Sequence, residues 1–223
     1  CLEVAGKVDA IGMDNQGETV IAWDAGTGRP IYNAIVWQDS RTQDATEKLK
    51  ADGAEELTLA RAGLPLDPYF SAGKLRWLLD HADGARSLLK QGRLRLGTSD
   101  AFFLGRLTGT FATDVTTASR TSLMSLDTCT WDPDLSKLFG VPIECLPEIR
   151  PTAGDFGQAG KIPVTASLVD QQAALFGHGC PTKITFGTGA FALTITGDVR
   201  VDGSKFGILP TVAWKIKNEA PHR

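Results

Sequence analysis

The sequence predicts a mixed α/β fold. Short apolar, β-rich runs alternate with stretches whose leucines and alanines recur at helical spacing. Three of the strand-like runs end in polar or glycine residues, and ligands in open α/β sheets sit beyond the carboxyl ends of strands. No internal repeat or low-complexity tract competes with this reading.

The first strand is expected over residues 8–13, apolar from 10 to 13, running into the polar turn Asp14-Asn15-Gln16-Gly17. Residues 19–23 are rich in β-formers, 24–28 make a turn by composition, and 30–37 resume an extended run, which together predict a hairpin-like unit. Residues 42–60, polar with spaced Ala and Leu, predict an exposed helix, and Leu64-Pro-Leu-Asp-Pro68 breaks the pattern. Leu75, Leu78 and Leu79 stand at i, i+3 and i+4, so a helix is expected over 71–81 with Ser71 as its N-cap.

Further along, 94–97 reads as a short strand and 99–107 as a helix starting at Ser99 or Asp100. Residues 112–126 are rich in Thr and Ser. Residues 131–139 predict a short helix with Asp132-Pro133 at its start, and 142–147 are turn-rich. A glycine-rich loop over 152–161 leads into a strand over 162–168. Asp170 follows it, and a helix begins over 171–177. A strand over 184–186 enters Gly187-Thr188-Gly189, and 191–196 is a strand again. The change from helix-rich to hairpin-rich pattern near 173–183 marks the expected boundary, with 1–172 in one domain and 173–223 opening a second.

Composition narrows the function. The 223 residues, 42% hydrophobic and 22% charged, suit one large domain or one domain and part of another. A net charge of -3 leaves no basic footprint, which argues against nucleic-acid binding. No apolar run reaches the roughly 18 residues of a membrane span, and no charged-then-apolar leader is visible. Cys1, Cys129, Cys145 and Cys180 form no C-x-x-C pair and have no histidine at zinc-ligand spacing, so they are read as reduced thiols of a cytoplasmic protein. His81 and His178 stand alone and read as surface or locally bonded residues. The first strand enters the polar turn almost at once, and 214–223 carry no completed element, so a fragment of a longer chain is expected.

The candidate chemistry sits at the strand ends. Asp170, just after a strand, reads either as a helix cap or as a catalytic carboxylate. Glu18 reads as a turn carboxylate or a ligand for hydroxyls. Gly187-Thr188-Gly189 would let backbone N–H groups approach an anion, although hairpin turns use the same residues. Tyr69, beside Pro68, would wall a pocket or sit half-buried in a loop.

A set of ordered blocks sharpens this. They are Asn15-Gln-Gly-Glu-Thr19, Trp23-Asp24, Pro30-Ile-Tyr-Asn-Ala-Ile-Val-Trp-Gln-Asp39 and Arg41-Thr42, followed by Asp67-Pro-Tyr-Phe-Ser71 and Lys74. Thr113-Asp114, Ala118-Ser-Arg-Thr121, Asp170-Gln-Gln-Ala-Ala-Leu-Phe-Gly177, Phe186-Gly-Thr-Gly189 and Phe191 complete the set. From about Val8 to Gly197 the chain resembles the FGGY carbohydrate kinases, and among them the glycerol-phosphorylating branch most closely.

The resemblance implies a ribonuclease-H-like, actin-like fold of two domains, with ATP and Mg²⁺ in the cleft and one hydroxyl of a small polyol or sugar phosphorylated. It implies Asp170 as general base and metal-side carboxylate, with Gln171 beside it holding the acceptor. Glu18 and Tyr69 would bind acceptor hydroxyls at the Gly17 turn, Trp37 and Phe191 would supply apolar walls, and Gly187, Thr188 and Gly189 would face the phosphates. Phosphoryl transfer asks mainly for alignment and charge stabilisation, plus a carboxylate for the hydroxyl proton. Closing domains would keep water from competing as acceptor.

Two departures bear on the acceptor. Gly17 stands where the glycerol branch usually has arginine, which removes a five-donor ligand and is expected to leave room. Val169 stands where glycine is common, and the loop 154–161 is shorter than the one carrying a regulatory sugar-bisphosphate site in some relatives. The family's first phosphate hairpin is expected before Val8 and most of its nucleotide domain after Thr196. A pentulose or other sugar kinase is therefore the alternative within the fold. An inactive, truncated homologue acting as a binding or scaffold protein, oligomeric through its exposed helices, is the alternative of another class.

Overall fold

The computed structural model describes residues 6–187 and 189–223. In chain order it contains β1 (Ile11–Asn15), β2 (Val20–Asp24), α1 (Gln43–Ala51), α2 (Glu55–Arg61), α3 (Ser71–His81), α4 (Ala85–Lys90), β3 (Leu94–Thr98), α5 (Ser99–Thr108), β4 (Ala112–Asp114) and α6 (Val115–Ala118). There follow β5 (Met124–Ser125), β6 (Thr130–Trp131), α7 (Pro133–Phe139), β7 (Glu148–Arg150), β8 (Gln158–Ala159), β9 (Ile162–Val169), α8 (Asp170–His178), β10 (Thr182–Phe186) and β11 (Ala190–Thr194). The mixed α/β class is as the alternation of patterns predicts.

Two pairings position the cleft. β1 runs parallel to β9, with Asn15 level with Val169, so both strands end side by side. β10 and β11 form an antiparallel hairpin directly after α8. Elsewhere β2 pairs antiparallel with β3 and β4 parallel with β7.

The core forms around β2, which is buried throughout because both its faces are covered. Val20 and Ala22 face Leu75, Leu78 and Leu79 of α3 together with Leu94 and Leu96 of β3. Ile21 and Trp23 face Ala101 of α5, and Trp23 meets the rings of Phe102 and Phe111 edge-on at 5.5 and 5.4 Å. Each fully buried leucine of this layer contributes about 2 kcal/mol. The i, i+3, i+4 leucines of the sequence are thus the inner stripe of α3.

Several expectations change in detail. β1 starts later than expected and continues through Asn15, and its face alternates rather than being buried, because its one partner among the described residues is β9. The hairpin over 19–37 is only partly regular. Val20 and Ile35 exchange both backbone bonds at 3.0 Å, but Pro30 has no N–H to extend the ladder and β3 takes the other edge of β2. The helix expected over 42–60 is two helices, divided at Asp52-Gly53, where Gly53 has φ +76°. Ser71 is the first residue of α3 rather than its cap. The N–H of Ala72 donates to the carbonyl of Thr121 at 2.9 Å, so a tertiary contact satisfies the helix end. Asp132 caps α7 as expected, accepting from the N–H groups of Asp134 and Leu135. Helix α8 runs unbroken through residues 172 and 173.

Candidate active site

An open cleft of about 810 Å³ lies where β1 and β9 end, closed on its other sides by the loop before α3, the β10–β11 hairpin and residues 207–211. Gly17, Glu18, Trp37, Tyr69, Asp170, Gln171, Gly187, Gly189 and Phe191 all line it. Thr188 lies outside the described residues. The register of β1 against β9 brings the first two of these beside Asp170, although about 150 residues separate them in the chain.

Glu18 is the most constrained of the group. It is 5% exposed and has φ +61°, a left-handed conformation uncommon for a residue with a β-carbon. Its Oε1 accepts from Arg120 Nε at 2.8 Å, an ion pair largely removed from water. The Arg120 guanidinium also lies 5.2 Å from the centre of the Phe70 ring. Arg120 faces the cleft and was not among the residues singled out from the sequence, although its block, Ala118-Ser-Arg-Thr121, was.

Tyr69 packs edge-on against Trp37, ring centres 5.6 Å apart, so the two aromatics form one apolar wall. Burial pushes the Tyr69 hydroxyl up to about 12, helped by the charge of Glu18 and opposed by Arg120, so it stays a donor across the neutral range. The loop carrying Tyr69 is tied down from inside. Lys74, with no exposed surface, donates from Nζ to the carbonyls of Pro68 and Tyr69. Burial pulls the Lys74 amine down to about 8, against the opposing charges of Glu18, Asp39 and Asp67.

Asp170 is the first residue of α8, with Val169 as the N-cap. It is therefore not the capping residue that spacing alone suggested. Its Oδ1 accepts the N–H of Gln171 at 2.7 Å, and its carboxylate sits exposed at the positive end of the helix dipole. Gln171 is held in turn by Lys183 of β10, which donates from Nζ to its Oε1 at 2.9 Å and to its backbone carbonyl at 3.2 Å. With Oε1 engaged, the Nε2 donors of Gln171 are left for the cleft. Burial lowers the Lys183 amine, and the charge of Asp170 works against that shift.

The glycine turn is packed closely. A β-carbon on Gly189 would stand 3.0 Å from Cε2 of Phe191, so the glycine is what lets the Phe191 ring lie on the turn. The N–H of Gly187 donates to the carbonyl of Gly189 at 2.9 Å and so closes the turn.

Mg²⁺ fits this donor set only in company with phosphates. Among the described residues no three His, Cys, Asp or Glu side chains converge on a metal position. Mg²⁺ commonly takes one or two carboxylates plus substrate phosphates, a role that the exposed Asp170 suits.

Residues 4–177 match the N-terminal domain of the FGGY family of carbohydrate kinases. The glycerol kinase of Bdellovibrio bacteriovorus is 48% identical over 226 residues, covering 96% of this chain and 46% of the relative. That of Rhodospirillum centenum is 48% identical, covering 94% and 44%. Among solved structures, Plasmodium falciparum glycerol kinase with ADP superposes with a TM-score of 0.92 at 34% identity over 97% of this chain and 46% of its own. A ligand-bound xylulose kinase from Lactobacillus acidophilus shares the fold at a TM-score of 0.80 and 20% identity, over 99% of this chain and 46% of its own. The chain spans about half the length of the curated relatives it matches. The actin-like α/β architecture implied by the sequence blocks is the one observed.

Proposed function

Because the chain belongs to the FGGY family of carbohydrate kinases, we propose that its cleft serves the ATP-dependent phosphorylation of a hydroxyl of a small polyol, with glycerol as the acceptor of choice. The observation that carries this reading is the convergence of Glu18, Arg120, Tyr69, Trp37, Asp170 and Gln171 on one cleft. Carboxylate, guanidinium, phenol and amide groups bind several hydroxyls, while the aromatic pair covers the carbon chain.

The acceptor hydroxyl lies against Asp170. As its oxygen forms a bond to the γ-phosphorus of ATP, its proton passes to the Asp170 carboxylate and the bond from that phosphorus to the ADP oxygen breaks. Glu18, Arg120 and Gln171 hold the remaining hydroxyls, which makes the attack intramolecular in effect. Mg²⁺, when bound with the phosphates, would neutralise part of their charge, and Asp170 would be the protein carboxylate to hold it.

In this reading residues 1–172 supply the acceptor side, and 173–223, with the Gly187–Gly189 turn, open the nucleotide side. The setting is cytoplasmic. Cys129, Cys145 and Cys180 are free thiols, and among the described residues no helix is long and apolar enough to cross a membrane. The acceptor is a small molecule rather than nucleic acid, consistent with a net charge of -3. Self-association through the exposed helices is compatible with it.

The test is acceptor-dependent ADP release by the full-length polypeptide, screened over glycerol, erythritol and pentuloses. Glycerol is expected to give the highest kcat/KM. A pentulose preference would move the assignment to a sugar kinase, and no turnover with any acceptor would favour the inactive homologue.

A further inference from the structure

The Thr-rich stretch ending β4 and forming α6 contributes only Arg120's neighbourhood to the cleft, yet it holds a buried hub. Asp114 has no exposed surface. Its carboxylate accepts four hydrogen bonds, all at 2.9 Å, from the N–H groups of Thr116 and Thr117 and from the hydroxyls of Thr116 and Thr152. The two N–H bonds are ordinary helix capping. The hydroxyl bond from Thr116 has a further consequence.

Thr116 Oγ1, having given its proton to Asp114, presents its lone pairs to the N–H of Val169, which donates to it at 2.9 Å. Val169 is the last residue of β9, and Asp170 follows directly. The neighbouring hydroxyl, Thr117 Oγ1, accepts from Asn15 Nδ2 at 3.0 Å, and the same Nδ2 donates to the Leu168 carbonyl at 3.0 Å. Asn15 ends β1 and precedes the turn that carries Glu18. Two adjacent threonines therefore hold the ends of the two strands that deliver Asp170 and Glu18.

The polarity of the chain of bonds is set at Asp114. Burial pushes its carboxyl up to about 6, yet both of its oxygens accept a backbone N–H, Thr117 on Oδ1 and Thr116 on Oδ2, as a carboxylate does. An ionised carboxylate only accepts, which forces the Thr116 hydroxyl to donate inward and to accept from Val169. A buried N–H left without an acceptor is unfavourable, so Val169 is held at this position.

We propose that Thr116, oriented by Asp114, is a positioning residue for Asp170, fixing the backbone from which the base projects. The kinetic part of this inference rests on the polyol-kinase reading above; the structural part does not. Thr116 is buried and does not line the cleft, so its effect falls on alignment rather than on affinity.

The experiment compares Thr116→Val and Thr116→Ser in the full-length polypeptide at pH 7.5. Valine keeps the volume and removes the acceptor oxygen; serine keeps the oxygen. Thr116→Val is expected to lower kcat at least tenfold while acceptor KM stays within about threefold, and to speed amide exchange at Val169 about tenfold, the loss of one hydrogen bond. Thr116→Ser is expected to restore both. Asp114→Asn, which turns one acceptor into a donor, is expected to lower kcat likewise, and serves if Thr116→Val does not fold. Full kcat in Thr116→Val or in Asp114→Asn, or equal losses in the valine and serine variants, overturns the proposal. If the wild-type protein phosphorylates no acceptor, the polyol-kinase reading fails, and unchanged Val169 exchange in Thr116→Val separately overturns the positioning role.

Discussion

Val169 closes over Gly17: a β-carbon on residue 17 would stand 3.1 Å from Val169 Cγ1 and 3.4 Å from Cγ2. The two positions therefore compete for the volume that a β-carbon at residue 17 would take. Gly17 was expected to make room for a longer acceptor; Val169, at the end of the neighbouring strand β9, packs against that position. Among the described residues, the guanidinium lining the cleft is that of Arg120.

This coupling is measurable. Gly17→Arg alone forces its stem against Val169 and is expected to cost about 1–3 kcal/mol of stability, the usual cost of overpacking. Combining it with Val169→Gly is expected to return most of that loss. Denaturant unfolding of the four proteins of the cycle checks it, and strict additivity would mean that the residues do not share the volume.

Arg120 is expected to matter through Glu18. Removing the guanidinium in Arg120→Met leaves a carboxylate that is 5% exposed without its counter-ion. A stability loss of about 3 kcal/mol is expected, with acceptor KM raised at least tenfold. Lysine at this position keeps the charge but not the planar group that lies against Phe70, so Arg120→Lys is expected to recover only part of the binding. Calorimetric titration with the acceptor measures both.

Lys183 is expected to act on Gln171. Lys183→Met frees the carboxamide to turn its oxygen into the cleft, where a hydroxyl oxygen was to accept from Nε2. Acceptor KM is expected to rise about fivefold, roughly 1 kcal/mol for one hydrogen bond, with little change in KM for ATP. An increase confined to ATP would place Lys183 on the nucleotide side instead.

Lys74 predicts a pH signature. Its folded-state value, about 8, lies below the ordinary 10.5. Below pH 8 the folded chain carries a buried ammonium, at a cost to stability. Between pH 8 and 10.5 the unfolded state binds more protons than the folded one, so this group makes stability rise with pH, by up to about 3 kcal/mol. Unfolding free energies of the wild type and Lys74→Met over pH 7–10.5 isolate the contribution. A constant difference between them would remove it.

Much of this was legible in the sequence. The leucines of α3 and the apolar run of β2 follow local periodicity, and each occupies the buried face its spacing dictates. The site residues outside Thr188 emerged from their strand-end positions and their ordered blocks, and those that the structure describes meet at one cleft. Long-range relations were not legible. The pairing of β2 with β3 rather than wholly with residues 30–37 depends on which partner offers an unbroken ladder, which no local pattern records. Nothing local in the sequence links Arg120 to Glu18 or Lys183 to Gln171; the fold brings each pair together. The hub at Asp114 has no local signature either, because its four donors include one 38 residues away.

The central claim, that Asp170 takes the proton of the accepting hydroxyl, is tested most directly by the rate of glycerol phosphorylation by the full-length Asp170→Asn variant beside the wild type. The account predicts a fall in kcat of about a thousandfold, within the usual contribution of a general base, with acceptor KM changed by only a few-fold. An Asp170→Asn protein that keeps the wild-type kcat would contradict it.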